Sequence, residues 1–282
     1  MQKVIVTGQN GALSLAVAEK IRSEGFKVEN VGLRGSGWKG LDFSDTDVIV
    51  HVAGLVPKEN VDAQDFYKIN FELTKELAEK AKSDGVKHFV YISSMAVYGV
   101  VPSLDDGCGI INENTPCDPK GDYGKSKLLA ENALNEIAGE DFVVSVIRVP
   151  SIYGKGKTEY LEQYRYFVGR LSRIPLAFEN KYKSVISIDN LCQLIYLIIK
   201  SASGGVFCPD DGNICAVDIS KALNPDKKTS RFLGKIIKLF KKDGRVIDYY
   251  GACYYSEKLS NVFNGDYRAV SFEDAVKKIY EN

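Results

Sequence analysis

Lys3-Val4-Ile5-Val6-Thr7-Gly8-Gln9-Asn10-Gly11-Ala12-Leu13-Ser14 opens the chain. Val4 to Thr7 is a short apolar run that ends on a glycine, which reads as a buried strand. Ala12 to Ser23 then sets Leu13, Ala16, Val17, Lys20 and Ile21 at helical spacing. The turn between them has its own logic. Gly8 permits a tight reversal, and Gly11 lets the backbone come close to a pyrophosphate. The helix N-terminus supplies free N–H groups and the positive end of a dipole. Gly8, Gln9, Asn10, Gly11, Ala12 and Leu13 are therefore the first candidates to hold a dinucleotide. Ser14 stands where the usual fingerprint has its third glycine, and it is small enough for close helix packing.

Working outward, the alternation of strand and helix continues. Lys27 to Leu33, Asp47 to Val52, His88 to Ile92 and Val143 to Arg148 read as strands. Asp65 to Ser83 reads as a long helix with Phe66, Ile69, Leu73, Leu77 and Ala81 on one face, and Tyr123 to Ile137 as another. Continuous apolar strands between helices imply βαβ units and an α/β fold with a doubly wound parallel sheet. Beyond residue 150 the pattern loosens. Thr158 to Arg173 and Asn190 to Lys200 read as helices, and Val185 to Ile188 as a strand. Asn213 to Arg231 is polar and shows no clear element. Leu233 to Lys242 is basic and amphipathic, and Ser271 caps a closing helix to Tyr280. The expected division is a dinucleotide-binding domain over 1–150, with a return strand and helix near 183–200, and a smaller substrate-binding lobe over 151–282.

Composition narrows the function classes. The chain has 282 residues, 37 Lys+Arg and 37 Asp+Glu, so its net charge is zero. No general basic footprint exists for a nucleic acid. Six cysteines without CxxC spacing and only two histidines, His51 and His88, give no metal-ligand pattern. The cysteines read as reduced thiols, and no signal-peptide pattern follows Met1, so a cytoplasmic location is expected. The longest strongly apolar stretch, Leu191 to Ile199, is too short to span a bilayer, and no membrane partner is expected.

Two further segments carry chemistry. An acidic residue at the end of the second strand would accept from the adenine ribose hydroxyls and repel a 2′-phosphate. The segment here is Val31-Gly32-Leu33-Arg34, with no carboxylate. Gly32 leaves room and Arg34 offers a fork of donors, which tilts the choice toward NADP; Arg34 also reads as a plain solvated charge. In Tyr123-Gly124-Lys125-Ser126-Lys127, Tyr123 and Lys127 fall four apart on one helix face. An ammonium beside a phenol stabilises phenolate and lowers its pKa. Ser94 ends a strand upstream, where the ligands of such sheets bind, and shares a substrate oxygen with Tyr123.

In this order the motifs resemble the extended short-chain dehydrogenase/reductases, and among them the NAD-dependent epimerase/dehydratase family that acts on nucleotide sugars. The resemblance implies a Rossmann-type sheet with a C-terminal substrate lobe and NAD or NADP as cofactor. His51-Val52-Ala53-Gly54 looks like the family's strand end that lines the cofactor, and Asn70 matches the Asn of the next helix. Asp42 and Phe43 resemble the pair that meets adenine. Ser93-Ser94-Met95-Ala96-Val97-Tyr98-Gly99 looks like S-S-x-x-V-Y-G, which puts Ser94 with Tyr123 and Lys127 at the catalytic positions. Arg148-Val149-Pro150-Ser151-Ile152-Tyr153-Gly154 looks like R-P-x-N-V-Y-G. Val52, Ala53, Gly54, Ile92, Tyr123, Lys127 and Val149 are thereby expected cofactor contacts. Met95, Ser151, Lys183 and the weaker candidate Arg268 are substrate contacts, the two cations facing a diphosphate. A 4,6-dehydratase needs an acidic pair where this chain has Met95 and Ala96, neither of which moves protons. Three readings remain: a nucleotide-sugar 4-epimerase, an NADPH-dependent 4-ketoreductase, and a non-catalytic cofactor sensor. A nucleoside-diphosphate sugar is the expected partner, with a homodimer in view.

Overall fold

The computed structural model describes residues 2–58 and 61–280. Eight strands organise it: β1 Lys3–Thr7, β2 Lys27–Val31, β3 Val48–His51, β4 His88–Ser94, β5 Val143–Val149, β6 Ser151–Tyr153, β7 Val185–Ser187 and β8 Gly205–Phe207. The helices are α1 Ala12–Ser23, α2 (Ala63–Phe66, a π-helical segment Tyr67–Glu72, then Leu73–Ser83), α3 Asp122–Ile137, α4 Glu159–Gly169, α5 Ile188–Ser201, α6 Ala216–Leu223, α7 Arg231–Leu239, α8 Gly244–Tyr250 and α9 Phe272–Tyr280. The chain divides into two compact units. The first holds residues 1–99, 116–149 and 191–208, and the second holds 100–115, 150–190 and 209–282.

The first unit is built on one six-stranded sheet in the order β8-β5-β4-β3-β1-β2, every pair parallel. The middles of its central strands are mostly apolar because helices cover both faces. Val4, Val6, Ile49, Val50, Phe89 and Val90 are fully or almost fully enclosed. Each such side chain contributes about 1.5–3 kcal/mol by leaving water. From β1 the chain turns first to β2 on one side and later to β3 on the other. The C-terminal ends of β1 and β3 therefore flank the switch point where such sheets bind ligands.

Three expectations are corrected. The run at 185–188 does not return to the central sheet: β7 pairs with β6 in the second unit, and the sixth strand is Gly205–Phe207. Residues 213–231 are not featureless. Ile214 and Cys215 pair with 182–183, and α6 follows, capped where Asp218 accepts from the Cys215 N–H at 3.1 Å. This helix is hard to read in the sequence because it is only eight residues long, with Asp218, Ser220 and Lys221 among its apolar residues and a polar stretch after it. On α2, the inward side is Phe66, Asn70, Thr74, Leu77, Ala78 and Ala81, with Ile69 and Leu73 only half-buried. The π-helical segment shifts the register, and the polar Asn70 and Thr74 turn inward because partners meet them there.

The second unit has its own aromatic core. Tyr153, Tyr164, Tyr249, Tyr250 and Phe272 pack with Leu161, Val168 and Ile219. The Tyr164 and Tyr249 ring centroids lie 4.5 Å apart, at the near end of the range where aromatic pairs attract, and Phe167 and Tyr249 lie closer still at 4.3 Å.

Gly124, between the two α3 residues of the Tyr-Lys pair, sits against the turn Met95–Tyr98. A Cβ there would lie 2.6 Å from the Ala96 carbonyl and 2.9 Å from Pro119 Cβ. Alanine is about 1 kcal/mol better than glycine inside a helix. Overpacking costs about 1–3 kcal/mol and here works against backbone. Gly124→Ala is therefore expected to lower the urea midpoint despite the gain in helix propensity. A raised midpoint would show that α3 has room to move.

Candidate active site

Gly8 has φ +94°, a conformation costly for any side chain, and Gly11 caps α1 with no side chain over the helix N-terminus. No acidic residue stands in the first turn of α1, so its positive end stays unneutralised. Ser14 is buried and hydrogen-bonds the Gly8 carbonyl as well as that of Gly11, the latter at 2.9 Å. A serine thus fastens the turn that a third glycine would merely leave open. Gln9, Asn10 and Gly11 are exposed, Ala12 is half-buried and Leu13 is buried. This open cradle of backbone donors fits a pyrophosphate.

Beside it runs a chain of polar contacts through the sheet. Thr7 Oγ1 accepts from the backbone N–H groups of Val52 and Ala53, each at 3.1 Å. Both lone pairs are then used, so its proton goes to His51 Nδ1 at 2.8 Å. His51 carries its own proton on Nε2 and donates it to Thr74 Oγ1 at 3.0 Å. Burial, with the nearby charge of Lys127, pushes the His51 pKa down to about 3, so the ring is neutral. Its work is to hold the strand end Val52-Ala53-Gly54 in place. Asn70 holds the continuation, accepting from the Leu55 N–H at 2.8 Å and donating to the Leu55 carbonyl at 3.1 Å. It also reaches Ser126 of α3 at 3.3 Å. Gly54 is tied closely: a Cβ would meet Asn70 Oδ1 at 3.0 Å and Lys127 Nζ at 3.4 Å.

The Tyr-Lys pair sits on α3 against the end of β4. Lys127 is buried, its Nζ donates to the Ile92 carbonyl at 2.8 Å, and it lies 4.7 Å from the Tyr91 ring centroid. Burial pulls its pKa down to about 7, opposed by the charge of Glu131 one turn on. Tyr123 packs edge-on against Phe66, with ring centroids 5.8 Å apart. Ser94 Oγ accepts from the Ala96 N–H at 3.2 Å, which leaves its proton for Tyr123. Ser94 is paired in register with Val149 of β5, so the predicted cofactor contact Val149 lies directly beside the serine. Met95 begins the next turn and is half-buried.

The expected lowering of the Tyr123 pKa is corrected. Burial raises it, and the Ser94 hydrogen bond is what pulls it back. The Lys127 ammonium meets the Ile92 carbonyl and the Tyr91 face, and its charge is not among the causes that move the Tyr123 pKa. Tyr123 therefore holds its proton at neutral pH when no cofactor is bound.

Behind the pair lies a group the sequence reading missed. Glu131 is buried and grips Arg148 through Nε at 3.2 and 3.1 Å and through Nη2 at 2.7 Å, while Ser93 also donates to it. Arg148 Nη1 donates to Tyr98 at 2.9 Å. The available signal was spacing: Tyr123, Lys127 and Glu131 fall at i, i+4 and i+8 on one helix face.

Other expected contacts lie differently. Phe43 is a core residue beneath Lys80, not an open adenine contact, and Asp42 is exposed with its carboxylate on the Ser44 N–H at 2.8 Å. Arg34 is exposed and makes no ion pair among the described residues. The site of a side chain at position 32 is filled from elsewhere, since Gln9 Oε1 would lie 3.0 Å from a Gly32 Cβ. Ser151, Lys183 and Arg268 belong to the second unit. Ser151 is exposed. Lys183 is buried with Nζ on the Asp248 carbonyl at 3.0 Å, and burial lowers its pKa to about 8. Arg268 is committed to Asp210, through its Oδ1 and its carbonyl at 2.8 Å each, and to Ser260 at 3.2 Å. Each cation thus has protein partners in its own unit, and its contact with a diphosphate stays an expectation. No described helix is long and apolar enough to cross a membrane.

Residues 38–174 match the model of the NAD dependent epimerase/dehydratase family. The UDP-glucose 4-epimerase of Vibrio cholerae is 33% identical over 193 residues, which is 64% of this chain and 56% of that protein. The chain spans about half the length of the curated relatives it matches. Among solved structures, the human epimerase family protein SDR39U1 with NADPH superposes with a TM-score of 0.74 at 17% identity, covering 100% of both chains. The UDP-N-acetylglucosamine 4-epimerase of Bacillus cereus does so with 0.66 at 18% identity, covering 100% of this chain and 98% of that one. Over those residues the chain is similar to the NAD dependent epimerase/dehydratase family. The glycine cradle of the first unit suits the nicotinamide dinucleotide after which that family is named.

Lys127 leaves a trace in stability. Its pKa is 10.5 unperturbed and about 7 when folded. Between those values the unfolded chain holds the extra proton, so wild-type stability gains with rising pH across that window and gains nothing from this group below it. Lys127→Met is expected to show its greatest advantage over wild type near neutral pH and to lose it steadily as the pH climbs. Urea titrations from neutral pH upward measure this, and a pH-independent difference would mean that Lys127 is charged in the fold throughout.

Proposed function

We propose that the chain is an NAD(P)-dependent nucleotide-sugar epimerase that works by reversible hydride transfer at a sugar carbon, C4 in the first instance. The observation that carries this reading is the convergence of Ser94, Tyr123 and Lys127 at the C-terminal end of β4, in the same unit as the glycine cradle. When bound, the nicotinamide ring supplies the hydride acceptor and donor. Ser94 and Tyr123 would share the reacting sugar oxygen. Tyr123 would take the hydroxyl proton as hydride leaves and return it as hydride comes back. Its raised pKa makes it a poor base alone, so the charge of Lys127 and that of the bound cofactor would be what brings it into range. Lys127 would hold the nicotinamide ribose. Met95 and Ala96 give no acid or base for eliminating water, which argues against dehydration. NMR analysis of UDP-glucose and UDP-N-acetylglucosamine incubated with the protein tests the proposal. Interconversion at C4 without net NAD(P)H formation is the expected result. Tyr123→Phe should lose about 10²–10⁴ in rate while still binding cofactor. Full activity in that variant would remove Tyr123 from the mechanism.

The reductase reading stays second because one observation favours it. At the end of β2 the place of a carboxylate is taken by Gly32 with the neutral Gln9 amide against it. Nothing there repels a 2′-phosphate. Gly32→Asp is expected to weaken NADPH binding by tenfold or more, since one misplaced charge is worth about 1.4 kcal/mol or above, and to spare NADH. Equal loss of both cofactors would mean that the aspartate had only displaced Gln9.

A further inference from the structure

Helix α7 and the residues after it read Arg231-Phe232-Leu233-Gly234-Lys235-Ile236-Ile237-Lys238-Leu239-Phe240-Lys241-Lys242. Five of these twelve residues are cations and none is an acid, in a chain whose charges balance as a whole. One side of α7 is fixed to the second unit. Gly234 is buried against the Leu176 backbone, with no room for a Cβ, and Ile237 packs on the aromatic core. Ser230 caps its start, accepting from the Leu233 N–H at 3.2 Å.

The other side is unusual. Phe232 is 71% and Leu239 80% exposed, the highest values among the large apolar side chains described, and Phe240 follows at 55%. Single exposed apolar residues need no explanation, but three within nine residues of one helix form a patch. Phe232, Ile236 and Leu239 fall at i, i+4 and i+7 and so make one stripe. Arg231, Lys235 and Lys238 make the stripe beside it. Arg231, Lys235, Lys241 and Lys242 are exposed and make no ion pair among the described residues. Lys238 lies 5.8 Å from the Phe178 ring.

An apolar stripe parallel to a cationic one, both open to solvent, matches a surface whose polarity changes with depth. A nucleic acid backbone would satisfy the cations and leave Phe232 and Leu239 in water. A bilayer with anionic headgroups satisfies both, taking the aromatic and aliphatic tips at the acyl boundary and the ammonium groups at the phosphates. We propose that α7 with its following residues docks this protein on an anionic membrane surface, lying in the plane of the interface with Phe232, Leu239 and Phe240 inserted. The sequence expectation of no membrane partner rested on the length of apolar runs, which bears on spanning and not on surface contact. The docking needs no particular catalytic activity and stands apart from the epimerase reading.

Vesicle flotation tests it. The purified chain should float with vesicles of equal parts phosphatidylcholine and phosphatidylglycerol, and not with phosphatidylcholine alone. High salt should release it. Each cation near such a surface is worth about fivefold in binding, so Lys235→Glu/Lys241→Glu/Lys242→Glu should weaken the partition by about a hundredfold or more. Phe232→Ser/Leu239→Ser/Phe240→Ser should abolish it. All six positions are exposed, and unchanged circular dichroism and thermal transitions will show that both variants fold. Absence of flotation with anionic vesicles overturns the proposal, and so does flotation that neither variant reduces. A wild-type dimer in light scattering that the serine variant makes monomeric, with no vesicle binding, also overturns it and assigns the patch to a second copy of the chain.

Discussion

An ammonium buried beside a sheet has few ways to be tolerated, and most of the first unit arranges itself around one. Lys127 reaches the Ile92 carbonyl, faces the Tyr91 ring and lies one helical turn from Glu131. Each of these is fixed by something else. The Tyr91 hydroxyl donates to the Asn70 carbonyl at 3.3 Å, and its ring stacks on His51 at 5.8 Å. Glu131 is held by Arg148 and Ser93. His51 is held by Thr7 and Thr74. The ammonium is the common neighbour of these polar clusters.

This arrangement also explains why the two halves of the chain differ in kind. Every side chain in the network comes from the sheet, from α2 or from α3, so its geometry rests on rigid elements. The second unit is held by aromatic packing, and its cations Lys183 and Arg268 serve internal contacts.

The sheet was legible in the sequence because its signals are local. A strand ending in Gly8, a helix start at Ala12 and apolar runs of strand length depend on neighbours a few residues away. The Tyr-Lys pair was legible for the same reason. The Glu131–Arg148 contact spans 17 residues and the Thr7–His51 contact spans 44, and local periodicity carries no information at that range. Phe43 shows the converse error. A motif gave it a role at the cofactor, while burial made it part of the core. At 183 and 268 the residue type suggested an anion ligand, and only coordinates reveal the carbonyl and the carboxylate that these cations meet within the protein.

The π-helical segment Tyr67–Glu72 inserts what is in effect one surplus residue into an otherwise regular rod. Its presence sets a phase. Residues before it, including Phe66 against Tyr123, and residues after it, including Thr74 against His51, face inward together only because the helix slips by about one residue's rotation between them. Side chains at these positions tolerate change according to size and polarity, as in any core. Winding does not tolerate it: regular α-helical winding of the same residues would turn Phe66 roughly 100° away from the tyrosine it braces. In evolutionary terms the surplus residue and the π-helical turn go together, since deleting one residue between 67 and 72 would restore ordinary winding and leave Phe66 and Thr74 on the same face.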